Sequence, residues 1–240
     1  MTEISLARTL VRESDELGVH LDEHEARQII RYIVAILDAN RQTNLTRIVE
    51  PAQAARLHGL DSLAAAIELD LAPQGRILDL GSGGGFPGVP LAIQSGRQTT
   101  LLDSVRKKMV AVQEAVESTG LGELVHTVVG RAEEHAREHH GEYSAVLARA
   151  VAPLGALVEL AAPLLRRGGV FIAMKGAPTP EELASGRGVA EVVGLEEVSV
   201  RAFTLPEGGE TRSIVAYGWV RESKIRLPRR VGLAQHQPLK

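Results

Sequence analysis

The chain contains no cysteine. That excludes a structural disulfide, a cysteine zinc site and a cysteine nucleophile. No apolar run is long enough to span a bilayer: the longest, around residues 29–37 and 151–165, are short and carry Arg31, Glu159 or prolines. The first residues lack the basic-then-apolar pattern of a signal peptide, so a cytoplasmic location is expected. Low-complexity tracts are absent and 44% of the residues are hydrophobic, so the chain reads as globular throughout. An excess of positive charge is missing too. The formal net charge is −3, and the whole molecule does not advertise nucleic-acid binding. Locally the balance differs: residues 221–240 hold six Lys/Arg against Glu222 alone. This basic tail reads as a solvated end or as a phosphate-contacting arm. On either reading its removal should leave cofactor affinity unchanged.

What is present is organised around residues 76–92, RILDLGSGGGFPGVPLA. Ile77, Leu78 and Leu80 predict a buried strand ending at Asp79. Gly81, Gly83, Gly84 and Gly85 follow, and Pro87 and Pro90 flank a helix start. Strand, glycine loop and helix in that order build a nucleotide cradle. Gly83-x-Gly85-x-x-Gly88 fits the dinucleotide fingerprint, a weak signal alone. In the other register Phe86 stands where the third glycine belongs. An acid two residues before the first glycine suits a cationic amino group, which S-adenosylmethionine has. The alternative is a glycine-rich turn without a ligand.

Around this stretch three units are expected. Residues 1–72 form an N-terminal helical extension, in which Asp22 and Glu25 make a capping box and Ala26, Ile29, Ile30, Ile33 and Leu37 recur at helical spacing. Pro51 opens a third helix. Residues 73–220 alternate strands and helices, the signature of a mostly parallel, doubly wound sheet. Strands are expected at 76–80, 99–102, 126–129, 143–148 and 169–174, helices at 107–118 and 154–165. An antiparallel pair at 198–205 and 213–220 closes the domain, and residues 221–240 are the tail. A nicotinamide fold would add a second βαβ half. None is visible, which weighs against an NAD(P)-dependent oxidoreductase.

Ligands of such sheets collect at the carboxyl ends of the strands. Asp103, 18 residues beyond Gly85, is placed to accept from both ribose hydroxyls, or else caps the helix that follows. Ala132 and Glu133 are placed for the adenine edge, or Glu133 is a helix-terminal charge. Arg149 and Lys175 end neighbouring strands as candidates for positioning or charge stabilisation, with a plain surface lysine as the alternative for Lys175. The polar turns NLT (Asn44 to Thr46) and HGLDSL (from His58) either cap helices or face a substrate. No Asp/Asn-Pro-Pro-aromatic motif follows strand four. With no cysteine either, the acceptor must already be nucleophilic, as guanine nitrogen-7 is; its in-plane lone pair needs no base, only positioning.

Taken together, DLGSGGGFPGVPLA, LLDSVRKK, GRAEE, ARAVAPL and AMKG, with NLT and HGLDSL upstream, resemble the RsmG (GidB) family over roughly residues 35–220. The resemblance implies a Rossmann-like, class I methyltransferase that uses S-adenosylmethionine to methylate guanine nitrogen-7 in 16S ribosomal RNA. It implies cofactor contacts at Gly81, Phe86, Ala132, Glu133 and Arg149, and family motifs at Lys175, Asn44 and His58. The expected partner is 16S RNA or the small ribosomal subunit, with neither membrane nor metal, and the protein is expected to be a monomer. A ribosome-assembly or RNA-binding factor that keeps the fold without turnover is the alternative from another class.

Overall fold

The computed structural model describes residues 2–149 and 152–239. Ala150 and Val151 of the ARAVAPL stretch, and the terminal Lys240, lie outside them. Helices α1 (Glu3–Glu16) and α2 (Glu23–Thr43) open the chain. Asp22 starts α2 with the expected reciprocal cap: the Glu25 N–H donates to Asp22 Oδ1 at 2.8 Å and the Asp22 N–H to Glu25 Oε2 at 2.9 Å. Pro51 begins α3 (Pro51–Ala54), which runs through a π-helical segment, Ala55–Leu60, into α4 (Asp61–Leu63) and then α5 (Ala66–Leu69). π-Helical insertions are rare and gather at functional sites. This one carries His58.

The alternating region follows: β1 (Ile77–Leu80), α6 (Gly88–Ser95), β2 (Thr99–Asp103), α7 (Arg106–Ser118), β3 (Val125–Val129), α8 (Ala132–Glu138), β4 (Tyr143–Arg149), α9 (Leu154–Ala161), β5 (Leu165–Lys175), α10 (Pro180–Val193), β6 (Leu195–Thr204) and β7 (Thr211–Trp219), with α11 (Leu233–His236) in the tail. The seven strands lie in the order β3-β2-β1-β4-β5-β7-β6. β1 pairs parallel with both β2 and β4, whereas β7 is antiparallel to β5 and β6. The strand order therefore reverses beside β1, which opens a crevice at its carboxyl end. Several boundaries differ from the sequence reading, β5 and β6 beginning four and three residues early. The helix expected at 154–165 stops at Ala161, and a single 3₁₀ turn at Ala162–Leu164 leads straight into β5. Pro163, which has no N–H to continue the ladder, accounts for the early stop.

Two apolar layers flank the sheet. One combines α1–α7 with one sheet face, through Ile29, Ile33, Phe86, Val112, Ile77 and Leu147. The other joins α8–α11 to the opposite face, through Leu78, Leu80, Val146, Leu157 and Val189. Ile77 faces one layer and Leu78 the other, as strand alternation requires. The N-terminal helices are thus built into the core of the sheet domain rather than appended to it. Among the described residues no helix is long and apolar enough to cross a membrane.

Candidate active site

The glycine loop leaves β1 and turns back over it. The Gly81 and Ser82 amides donate to the Leu102 carbonyl at 2.8 and 3.1 Å, tying the loop to β2. Gly81, Gly83 and Gly85 have φ of 73°, 56° and 83°, a region side chains rarely adopt. Gly83, Gly85 and Gly88 use the missing side chain differently. A Cβ on Gly83 would meet nothing within 4 Å, because Gly83 faces a cavity. One on Gly85 would lie 2.2 Å from the Tyr32 hydroxyl, and one on Gly88 2.5 Å from Leu101. Gly85 and Gly88 therefore serve close packing, Gly85 beneath α2 and Gly88 against the sheet. Tyr32 fixes the loop from below, its hydroxyl donating to the Gly84 carbonyl at 3.0 Å.

The cavity over Gly83 measures about 520 Å³ and is bounded by Gly81, Asp103, Ala132, Glu133 and Arg149. Its size lies in the range of pockets that enclose one drug-sized ligand. Five residues singled out from sequence thus meet at one site with Gly83. Asp79, Gly85 and Phe86, also expected at the cofactor, do not line it. Alternation explains Asp79, which shares the face of Ile77, under the loop and away from the cavity. It is fully buried; Oδ2 accepts the Gly88 N–H at 2.8 Å and Oδ1 has no partner. Burial pushes its pKa up to about 7, although the Gly88 N–H and then the Arg149 charge oppose this. Phe86 is buried as a platform, stacked on His58 with ring centroids 4.6 Å apart.

Asp103 borders the cavity and accepts from two backbone amides, so it braces the loop without capping α7. Oδ2 accepts the Gly83 N–H at 3.1 Å and Oδ1 the Val105 N–H at 2.9 Å, bracing loop and turn while facing the cavity. Asp103→Ala should weaken S-adenosylmethionine binding by about 1–3 kcal/mol, read by calorimetry, with the fold retained. Unchanged affinity would leave Asp103 as a turn brace alone.

A second cavity, about 440 Å³, lies on the other side of Arg149 and is bounded by His58, Asp61, Lys175, Phe203 and Arg212. Arg149 lines both cavities. Its guanidinium holds the Leu57 carbonyl at 3.2 Å, Asp61 Oδ2 at 3.3 Å and His58 Nδ1 at 3.3 Å. Arg212 takes Asp61 Oδ1 at 3.2 Å. His58 Nε2 meets the Thr46 hydroxyl at 2.8 Å. Since Arg149 can only donate, Nδ1 of His58 is the acceptor and Nε2 carries the proton. Burial, then the Arg149 charge, drops the His58 pKa to about 4. Lys175 sits at the end of β5 as expected, but its Nζ is 2.7 Å from Glu182 Oε1, so its charge is already paired. Asn44 stays out of this cavity. It ends α2 in the left-handed conformation, with φ 53°, and borders a separate groove with Arg41 and Arg47. Asp61 and Arg212 went unassigned in the sequence reading. Asp61 lay inside the HGLDSL motif; for Arg212 no local signal existed.

The tail departs most from its sequence reading. Arg229 forks onto Glu159 at 2.7 and 2.6 Å, Lys224 pairs with Glu191 at 2.8 Å, and Ala234 is buried. Its basic residues are therefore in part internal ion pairs, and it is not a solvated end. Val231, Gly232, Gln235 and His236 join the wall of the first cavity. That position places part of the tail beside the cavity bounded by Gly83 and Asp103. Turn signals at Pro228 and Gly232, followed by Leu233 and Ala234, were the available hint of structure.

A mostly parallel sheet ending in an antiparallel strand pair, a glycine loop at its switch point and an acid closing β2 define a class I S-adenosylmethionine-dependent methyltransferase. The left-handed glycines, the open face of Gly83 and the Asp103 carboxylate fit that cofactor. The chain belongs to the rRNA small subunit methyltransferase G (GidB) family, whose profile matches residues 25–214. It is therefore an S-adenosylmethionine-dependent methyltransferase of small-subunit ribosomal RNA. Ribosomal RNA small subunit methyltransferase G of Deinococcus radiodurans is 42% identical over 233 residues, covering 96% of this chain and 91% of its own length. The protein of that name from Alkaliphilus metalliredigens is 36% identical over 228 residues, 94% and 95% of the two chains. Among solved structures, geranyl diphosphate C-methyltransferase from Streptomyces coelicolor A3(2), in complex with Mg2+, geranyl diphosphate and S-adenosyl-L-homocysteine, superposes with a TM-score of 0.55. That match spans 72% of this chain and 84% of the other at 14% identity, a likeness of fold.

Proposed function

We propose that the acceptor is nitrogen-7 of a guanine in 16S ribosomal RNA, that the second cavity receives the base, and that the protein acts as a monomer in the cytoplasm. One observation carries the reading of the acceptor: the groups facing that cavity are donors and cations, and its would-be bases are already engaged. His58 accepts from Arg149 through its only free lone pair. Both Asp61 oxygens are held, one by Arg149 and the other by Arg212. Such a site suits an acceptor that arrives with a free lone pair and leaves with added positive charge on its ring. S-adenosylmethionine, when bound, supplies an electrophilic methyl group on a sulfonium. Arg149 separates and orients the two cavities, Phe203 offers a flat apolar face, and Arg212 and Lys175 border the acceptor side with donors.

The rate of methyl transfer should then stay nearly flat from about pH 6 to pH 9 at saturating cofactor. His58, with its pKa near about 4, is neutral throughout that range. Single-turnover methylation of ribosomal RNA across those pH values, in the native protein and in His58→Ala, is the measurement. A rising limb near the ordinary histidine value that vanishes in His58→Ala would overturn the base-free reading. Base mapping of 16S RNA from cells with and without the protein identifies the acceptor atom directly.

A further inference from the structure

Beyond the acceptor, the path of the C-terminal segment points to a role at the cofactor site. Residues 221–239 leave β7, cross α10 and α9, and end at the carboxyl edge of the sheet, where the cofactor cavity opens. They are fastened on the way: the Lys224 N–H donates to the Val192 carbonyl at 2.9 Å, and Leu227 and Leu239 pack on the α8–α11 layer. Arg229 grips Glu159, which is buried at 3% exposure. Beyond this anchor the chain turns at Gly232, with φ of 85°, and α11 seats Ala234 against the core. The Gly232 N–H then donates to Glu133 Oε1 at 2.7 Å. Val231, Gly232, Gln235 and His236 face the cavity across from Gly83, Asp103 and Ala132.

We propose that residues 229–239 form the outer wall of the cofactor cavity, and that Gly232 is a positioning residue that aims Glu133 at the adenine end. The Gly232 amide occupies one oxygen of a carboxylate that, at 8% exposure, has few other ways to be held. Oε2 stays available for the ligand. Of the two groups expected at the adenine edge, Ala132 is fixed by α8 itself, whereas Glu133 depends on a residue 99 positions later in the chain. The Arg229–Glu159 fork, in turn, anchors the wall to α9. This inference rests on the family's cofactor and is independent of which RNA atom receives the methyl group.

The test uses S-adenosyl-L-homocysteine as probe and needs no RNA, so its failure is distinct from failure of the acceptor reading. Titration calorimetry compares the full chain with one ending at Arg221. The shortened chain should bind about tenfold more weakly or worse, through loss of contact area and of a fixed Glu133. Equal affinity overturns the proposal. Because truncation also uncovers Trp219 and its apolar surroundings, hydrogen exchange on the full chain provides a readout that needs no variant. Saturating S-adenosyl-L-homocysteine should slow amide exchange across residues 229–239, with Gly232 among the amides protected. Exchange there that is indifferent to the ligand overturns the proposal even if the shortened chain does not fold.

Discussion

Arg149→Leu should lower turnover about a hundredfold or more while leaving a folded protein, the largest effect expected of any single substitution at this site. Arg149 is the wall common to both cavities, and its guanidinium holds three groups around them: the Leu57 carbonyl, Asp61 and His58. Leucine fills part of the volume and holds none of these. Asp61, 5% exposed, would keep Arg212 as its remaining partner. The stability loss should therefore be about 2 kcal/mol, below the figure for a buried charge left with no partner. In a chain of this size that lowers the melting temperature by roughly 4–8 °C. Pairing Arg149→Leu with Asp61→Asn removes the carboxylate that has lost a partner. The double variant should regain stability but not turnover, measured by thermal melts and single-turnover rates. Recovery of both together would reduce Arg149 to a brace.

The second large effect concerns pH. Asp79 ordinarily titrates near 3.8, and burial raises it to about 7 in the folded protein, with Asp103 adding a smaller push upward. A raised carboxyl means the native state holds its proton more tightly than the unfolded chain. Below about pH 4 both states are protonated and the group costs nothing. Between there and about pH 7 only the unfolded chain releases the proton, so stability falls as pH rises, by about 1.4 kcal/mol per unit. Above the folded pKa the loss levels off at about 4 kcal/mol. Asp79→Asn keeps an acceptor for the Gly88 N–H and cannot ionise. Relative to the native chain, the variant should gain stability progressively from about pH 4 to pH 7, in denaturant melts taken across that range. Parallel curves would show that Asp79 stays ionised in the native protein.

How much of this was legible in the sequence depended on the range over which each signal acts. The strand leading to the glycines, the capping box of Asp22 and Glu25, and the acid closing β2 are local patterns, and the structure carries all three. The placement of Asp103, Ala132, Glu133 and Arg149 at one cavity followed from topology, since parallel strands bring their carboxyl ends to one edge. For Asp79 the motif fixes the position in the chain but not the face; the phase of Ile77 and Leu78 decides that. The tail could not be read from its charges. A count of six cations says nothing about whether their partners are phosphates or carboxylates, and Arg229 finds Glu159 from 70 residues away. Arg212 was hidden for the same reason: it depends on Asp61, an acid brought close only by the fold.

The burial of α2 has a consequence for how the chain is made. Ile29, Ile30, Tyr32 and Ile33 are at most 1% exposed, and besides α1 the helix rests on α6, α7 and the glycine loop, all of which come later in the sequence. During synthesis this helix leaves the exit tunnel when, of the helices that will cover it, only α1 has been made. The part of its apolar stripe that faces α7 has no cover until residue 118 has followed. The tyrosine that fixes the loop is thus among the first side chains made and among the last to find its place.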